Sequence, residues 1–308
     1  MQSIRRGVKA ATSGSERFNR VKPASNVFIT VLFFALAMIS ILPFIFVVII
    51  SFSSEDSVLR IGYSFAPIQW SLDTYKFLWQ TRGDILRSFI NSVGITVVGT
   101  SLGLTLISTL GYAISRPTYR YKRFATVLIF IPMLFQGGLV STYMINTQLF
   151  YLKNTYAAII LPLACSSWYV IIMRTFFTTT IPDSIVESAK IDGATQLRIF
   201  RQIVLPIALP ALATIGLFLT FAYWNDWYQT MLYVSDRNLF PLQFVLVSIE
   251  RAVDFLARSE DSMAHSANLP SETVRMAIVV IAVAPIACSY PFFQKYFVSG
   301  LTIGAVKG

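Results

Sequence analysis

The stretch IPDSIVESAKIDGATQLRIFRQIVLP, residues 181–206, lies between two strongly apolar runs and has a reading of its own. Pro182 restricts the residue before it to an extended backbone, so the preceding helix cannot simply continue. Ser184 and Glu187 have the spacing of a capping box, which predicts a short helix beginning there. Gly193 is well placed to end that helix in the left-handed conformation. Leu197, Phe200 and Val204 recur at intervals of three and four, predicting a second helix that leads into Pro206 and Pro210. The product is a helix, a sharp turn and a second helix, attached to an apolar span. Such a unit suits a lever offered to a soluble partner, and equally an amphipathic hairpin anchored in a membrane interface.

Outward from this stretch the chain is mostly apolar. Of 308 residues, 55% are hydrophobic and 13% are charged, about half the charged share of an ordinary soluble domain. The net charge of +10 could suggest nucleic acid. A mean hydropathy of +0.63 leaves no solvated basic face for it, so nucleic acid is not expected as a partner. Two cysteines and one histidine exclude a disulfide framework and a His/Cys metal centre. Six runs, 27–51, 88–114, 124–146, 155–173, 207–224 and 276–294, have the length and apolarity of membrane-spanning helices. The first is too long for the core of a secretory signal and reads as a retained span.

Lysine and arginine set the orientation. With the N-terminus inside, sixteen basic and four acidic residues face the cytoplasm, against nine and eleven outside. The expected layout is a basic cytoplasmic tail (1–26), a first span (27–51), an outer loop (52–87), a five-helix core (88–297) and a cytoplasmic C-terminal tail (298–308). The core contains the cytoplasmic loop 178–206 and an outer loop, 225–275. Both termini then lie on the cytoplasmic side of a multi-pass membrane protein.

No Asp, Glu, Lys, Arg or His falls within the six runs. Proton relays and many ion-coupled carriers need such groups at membrane depth, so the chain's own titrations cannot drive transport. It is either a passive or ion-dependent carrier, with sodium held by unwound carbonyls and hydroxyls, or it is driven by an energy source on another chain.

Further residues now carry a resemblance. Glu187-Ser188-Ala189, then Gly193, then Ile203-Val204-Leu205-Pro206 resembles the EAA loop of binding-protein-dependent carbohydrate ABC importer permeases, with Ser188 standing where the family pattern has Ala. The tail from Gly300 to Gly308 is similar to that of the second-maltose-permease-subunit type, and Tyr223–Tyr228 with Phe240–Gln243 resembles the lipoprotein/polysaccharide-type branch. The resemblance implies an all-α, six-span type I importer fold in a bacterial cell (inner, cytoplasmic) membrane. It also implies a second homologous permease subunit, two ATPase subunits, an extracytoplasmic solute-binding protein and a polar sugar as substrate. ATP and magnesium would be held by the ATPases, so no cofactor is expected in this chain. By the same resemblance Ser184, Glu187, Ser188, Ala189, Asp192, Gly193 and Ala194 would form the helix and turn seated on an ATPase. Ala189 and Gly193 would permit close approach, Phe200, Leu205 and Pro206 would fix the second helix, and Gly304 and Lys307 would contact the ATPase. The loop 228–273 would probe the binding protein.

A substrate path is read from mid-membrane and outer polar groups. Gln136, beside Gly137 and Gly138 and four residues after Pro132, marks a helix weakened at mid-depth; its amide faces either the substrate or a neighbouring helix. Asn146, Trp224, Asn225 and Asp226 are further candidates, and Trp224 fits an interfacial aromatic belt as well as a sugar contact. His265 reads as a solvated loop residue. Gly99-Thr-Ser-Leu-Gly103 matches the hydrolase pentapeptide around Ser101, but inside an apolar helix its Gly-xxx-Gly spacing reads as helix packing. Gly300, Gly304 and Lys307 mimic a phosphate loop but lack the following Ser/Thr. Cys165 and Cys288 are expected to be buried and inert.

Overall fold

A computed structural model describes residues 23–80, 82–135, 137–258 and 271–305. Among these the architecture is all-helical, apart from an isolated bridge between Ser53 and Trp70. Helix α1 (Pro23–Ser51) is the first span, followed by α2 (Glu55–Ile61) and α3 (Asp73–Gln80). Helix α4 (Arg82–Ser115) extends the second span outward by six residues. The third span is not continuous: α5 (Lys122–Leu134) stops, α6 (Gly138–Met144) restarts, and a π-helical turn covers Ile145–Leu149. Pro132 and the positive φ of Gly138, 79°, account for an interruption that an L-residue with a Cβ would resist.

The fourth span is a pair, α7 (Tyr156–Ala164) and α8 (Ser167–Thr180), bent by 45° at extended Cys165 and Ser166. Then come α9 (Asp183–Ile191) and α10 (Gln196–Ile207), the latter turning 80° into α11 (Leu209–Trp224). Pro206 and Pro210 flank that corner, where missing N–H groups interrupt the helical ladder. Next come α12 (Tyr228–Tyr233) and α13 (Leu242–Arg258). Helix α14 (Ser271–Ala305) carries the last span and crosses the expected 297/298 boundary without a break. Among the described residues, three helices are long and apolar enough to cross a membrane, and the two bent pairs raise this to five. The spans in the middle of the chain are thus jointed, the third of them at the weakened helix that the sequence marks.

The core forms where α4 meets α8 and α11. At Gly103 a Cβ would stand 2.8 Å from the Ala164 carbonyl oxygen, and at Gly99 2.6 Å or less from the Tyr223 ring. The glycines of the hydrolase-like pentapeptide thus let two helices touch α4, while Ser101 is exposed. Tyr223 is buried there and donates its hydroxyl to the Ile160 carbonyl at 2.8 Å. Between the first two spans, the Glu55 carboxylate accepts from the backbone N–H groups of Glu272 and Thr273, both at 3.0 Å. That satisfies orphan donors at the start of α14 and ties the first outer loop to the last span. Cys165 and Cys288 are both exposed on the surface of this chain, contrary to expectation. Cys165 lies at the break between α7 and α8.

Candidate coupling site

Pro182, with φ −60° and ψ 141°, takes the helix-capping position itself, so α9 starts at Asp183 and no side chain caps it. The Ser184–Glu187 capping box does not form, because Ser184 already lies inside the first turn. Gly193 closes the helix with φ 78°, its N–H donating to the Lys190 carbonyl and that of Ala194 to the Ala189 carbonyl. Thr195 then caps α10 by accepting from the Arg198 N–H.

The hairpin has two faces. Val186, Ala189, Ile199, Phe200 and Val204 are buried in the chain's own core, with Ala194 and Leu205 packed partly against it. Ala189 therefore points into the chain's own core. Ser184, Glu187, Ser188, Asp192, Gly193 and Pro206 are exposed. So are Ile191, at 86%, and Leu197, at 64%. Leu197 shares the second helix with buried Phe200 yet faces outward. Glu187 makes no hydrogen bond or ion pair among the described residues.

The residue that secures the hairpin is Arg116, directly after α4. It is buried, and its guanidinium donates to Asp183 Oδ1 at 2.9 Å, to the Phe177 carbonyl at 3.0 Å and to Ser115 Oγ at 3.0 Å. It also lies 5.5 Å over the Tyr112 ring, which sits 5.1 Å from Phe200 and 5.9 Å edge-on to Phe177. Tyr112 donates to Gln196 Oε1 at 3.2 Å. One cation and one ring thus join the end of the second span, the end of the fourth, and both helices of the hairpin. Sequence reading counted Arg116 only as a positive loop charge; its partner Asp183 lies 67 residues away, beyond any local pattern.

The substrate-path residues that the structure describes each have contacts of their own. Trp224 is buried, donates its indole N–H to the Ala282 carbonyl at 3.0 Å and meets Phe89 edge-on. It is a packing residue between α11 and α14, which corrects both of its expected roles. Asn225 is exposed, donating to the Phe221 carbonyl and accepting from Gln243. Asn146, in the π-helical turn, donates to the Tyr233 hydroxyl at 3.0 Å, and Tyr233 stacks on Tyr143. Gln136, His265 and Lys307 lie outside the described residues. Gly304 falls within α14.

Residues 115–303 match the family described as binding-protein-dependent transport system inner membrane component. The chain belongs to that family. It is a membrane-integral permease component of an ABC importer, with the all-α type I importer fold. It is 38% identical, over 88% of its own length and 94% of the relative's, to the polygalacturonan/rhamnogalacturonan transport system permease protein YtcP of Bacillus subtilis (strain 168). It is 27% identical to the arabinooligosaccharides transport system permease protein AraQ of Halalkalibacterium halodurans, over 94% of this chain and 99% of the other. Among solved structures, a chain of a bacterial ABC transporter involved in the import of the acidic polysaccharide alginate matches with a TM-score of 0.75 at 28% identity, covering 90% of this permease and 99% of that chain. The family's members work with partners such as an ATPase and a substrate-binding protein.

At the outer end of α11 the permease buries a carboxylate. One oxygen of Asp226 accepts from the Gln229 N–H; the other is buried without a partner. Burial pushes its pKa up from 3.8 to about 6. The folded protein then binds this proton more tightly than the unfolded chain does. Its contribution to stability is therefore greatest near pH 4 and declines as pH rises to about 6. The window is worth on the order of 2 kcal/mol after allowing for partial exposure. In Asp226→Asn, thermal unfolding in detergent is expected to lose this slope between pH 4 and 6; an unaltered slope would remove the assignment.

Proposed function

We propose that this permease forms half of a heterodimeric pore importing an oligosaccharide, and that residues 183–207 are the part through which separate ATPase subunits drive it. The carrying observation is the hairpin itself. It exposes an apolar tip, Ile191 and Leu197, beside the unpartnered carboxylate of Glu187, while its inner face is clamped to two spans by Arg116 and Tyr112. Exposed apolar residues on a firmly held base suit seating in a groove of another protein.

In this reading the termini are cytoplasmic, and ATP and magnesium belong to the ATPases. ATP-driven closure pulls the hairpin, and the clamp passes the displacement to α4 and α8 as a rigid-body tilt. The outer helices α12 and α13 face the solute-binding protein. Oligosaccharide as the substrate class is supported by relatives named for polygalacturonan, rhamnogalacturonan and arabinooligosaccharides. Exposed Asn225, with Gln243, offers the amide chemistry a hydroxylated solute needs.

Glu187→Gln separates docking from folding. Because Glu187 has no partner among the described residues, the melting temperature is expected to stay within about 1 °C, in keeping with a surface change of under 0.5 kcal/mol. Transport per ATP hydrolysed in proteoliposomes should fall about tenfold, the scale of a lost charge-assisted hydrogen bond at an interface. Unchanged transport, or no disulfide between Ile191→Cys and cysteines placed along the ATPase groove, would overturn the reading.

A further inference from the structure

On the outer half of the molecule, α3, the start of α4, the start of α13 and the middle of α14 enclose a groove of about 750 Å³. Its walls are Leu78, Leu86, Phe89, Ile281 and Pro285, and Arg82 is its one charged lining residue. Trp79 and Leu86 are largely exposed at its rim. The Arg82 guanidinium lies 5.3 Å over the Trp79 ring and reaches the Trp79 carbonyl at 3.4 Å; no carboxylate pairs with it among the described residues. Its charged neighbours are engaged elsewhere: Lys76 with Asp73 at 2.8 Å, and Arg87 with Asn238 at 3.0 Å and Asp84 at 3.9 Å.

Depth decides what such a groove can hold. Phe89 is level with Trp224 and Ala282, where the fifth span ends and the sixth has begun. Arg82 stands seven residues earlier on α4, about 10 Å further out at 1.5 Å per residue. A cation at headgroup level therefore stands over an apolar slot entering the hydrocarbon region. Water gains nothing in such a slot. A sugar would leave its hydroxyls unpaired on the apolar walls. An amphiphile with one phosphate and a long hydrocarbon chain matches both ends: the phosphate pairs with guanidinium, and each buried methylene adds apolar contact.

We propose that this groove is a specific binding site for one outer-leaflet phospholipid, its phosphate on Arg82 and an acyl chain between α4 and α14. The lipid would brace α3 and α13, the outer elements, against the last span.

The test uses the assembled importer in nanodiscs containing a phosphatidylglycerol analogue with a photoreactive acyl chain. Labelling is expected to concentrate on peptides containing Leu86–Phe89 and Ile281–Pro285 and to be competed by unlabelled phosphatidylglycerol. Arg82→Gln should reduce it about fivefold, and Ala284→Trp, which fills the slot, should abolish it while transport shows that the complex is assembled. If Ala284→Trp fails to assemble, Ile281→Phe serves as the filling variant. Labelling spread evenly along the lipid-facing helices, labelling unaffected by either change, or cross-linking of the groove to the partner permease would each overturn the proposal.

Discussion

Replacing Arg116 with Met is expected to destabilise the permease by about 2–3 kcal/mol and to cut transport per ATP hydrolysed at least tenfold. Methionine preserves much of the apolar stem but removes donors from the Phe177 carbonyl, Ser115 Oγ and Asp183. Leaving a buried carbonyl unpaired costs about 1–3 kcal/mol. Asp183 adds less than a buried charge would, because its side chain is 56% exposed and water can replace the lost partner. Asp183→Asn alone should accordingly cost under about 1 kcal/mol. Arg116→Lys should fall between, since one ammonium cannot reach three acceptors held by a planar fork. Detergent melting and proteoliposome transport measure the two effects. A variant that melts like the parent yet still uncouples would mean the clamp transmits motion without stabilising the fold. One normal in both respects would refute the clamp.

Gly103→Val should be more severe, abolishing accumulation of assembled importer. The first added carbon stands 2.8 Å from the Ala164 carbonyl oxygen and 2.9 Å from Leu219 Cδ1. Leucine can rotate away; a backbone oxygen at the end of α7 cannot, so α4 and α7 must separate. Overpacking typically costs 1–3 kcal/mol, and a backbone obstacle puts this case at about 3 kcal/mol or more. Ser101→Ala, two residues away and exposed, should transport at the parental rate. The pair of outcomes separates helix packing from any hydrolytic use of the pentapeptide. Immunoblotting of membranes for the complex, with transport for Ser101→Ala, makes the comparison; an active Gly103→Val would sink it.

The legible features were those governed by near neighbours in the chain. Apolar runs of about 20 residues locate spans because the bilayer imposes that length on any helix. Pro132 with Gly137-Gly138 announced the broken third span, and Gly193 announced the left-handed corner, because φ preference belongs to the residue itself. The capping box misled because Pro182, with φ held near −60°, claims the cap position before Ser184 can. The three-to-four spacing of Leu197, Phe200 and Val204 gave the second helix, but not which of its residues turn to the core.

What the sequence by itself determined is an all-helical membrane chain with no ionisable group in its apolar runs and a helix–turn–helix between two of them. Tertiary structure alone decided that Arg116 meets Asp183, that Trp224 is buried against Ala282, and that Arg82 stands over an apolar groove. The division has a physical origin. Transfer into lipid and backbone sterics act on each segment independently, whereas a partner 67 residues away is chosen by how whole helices cross, which depends on every close approach at once.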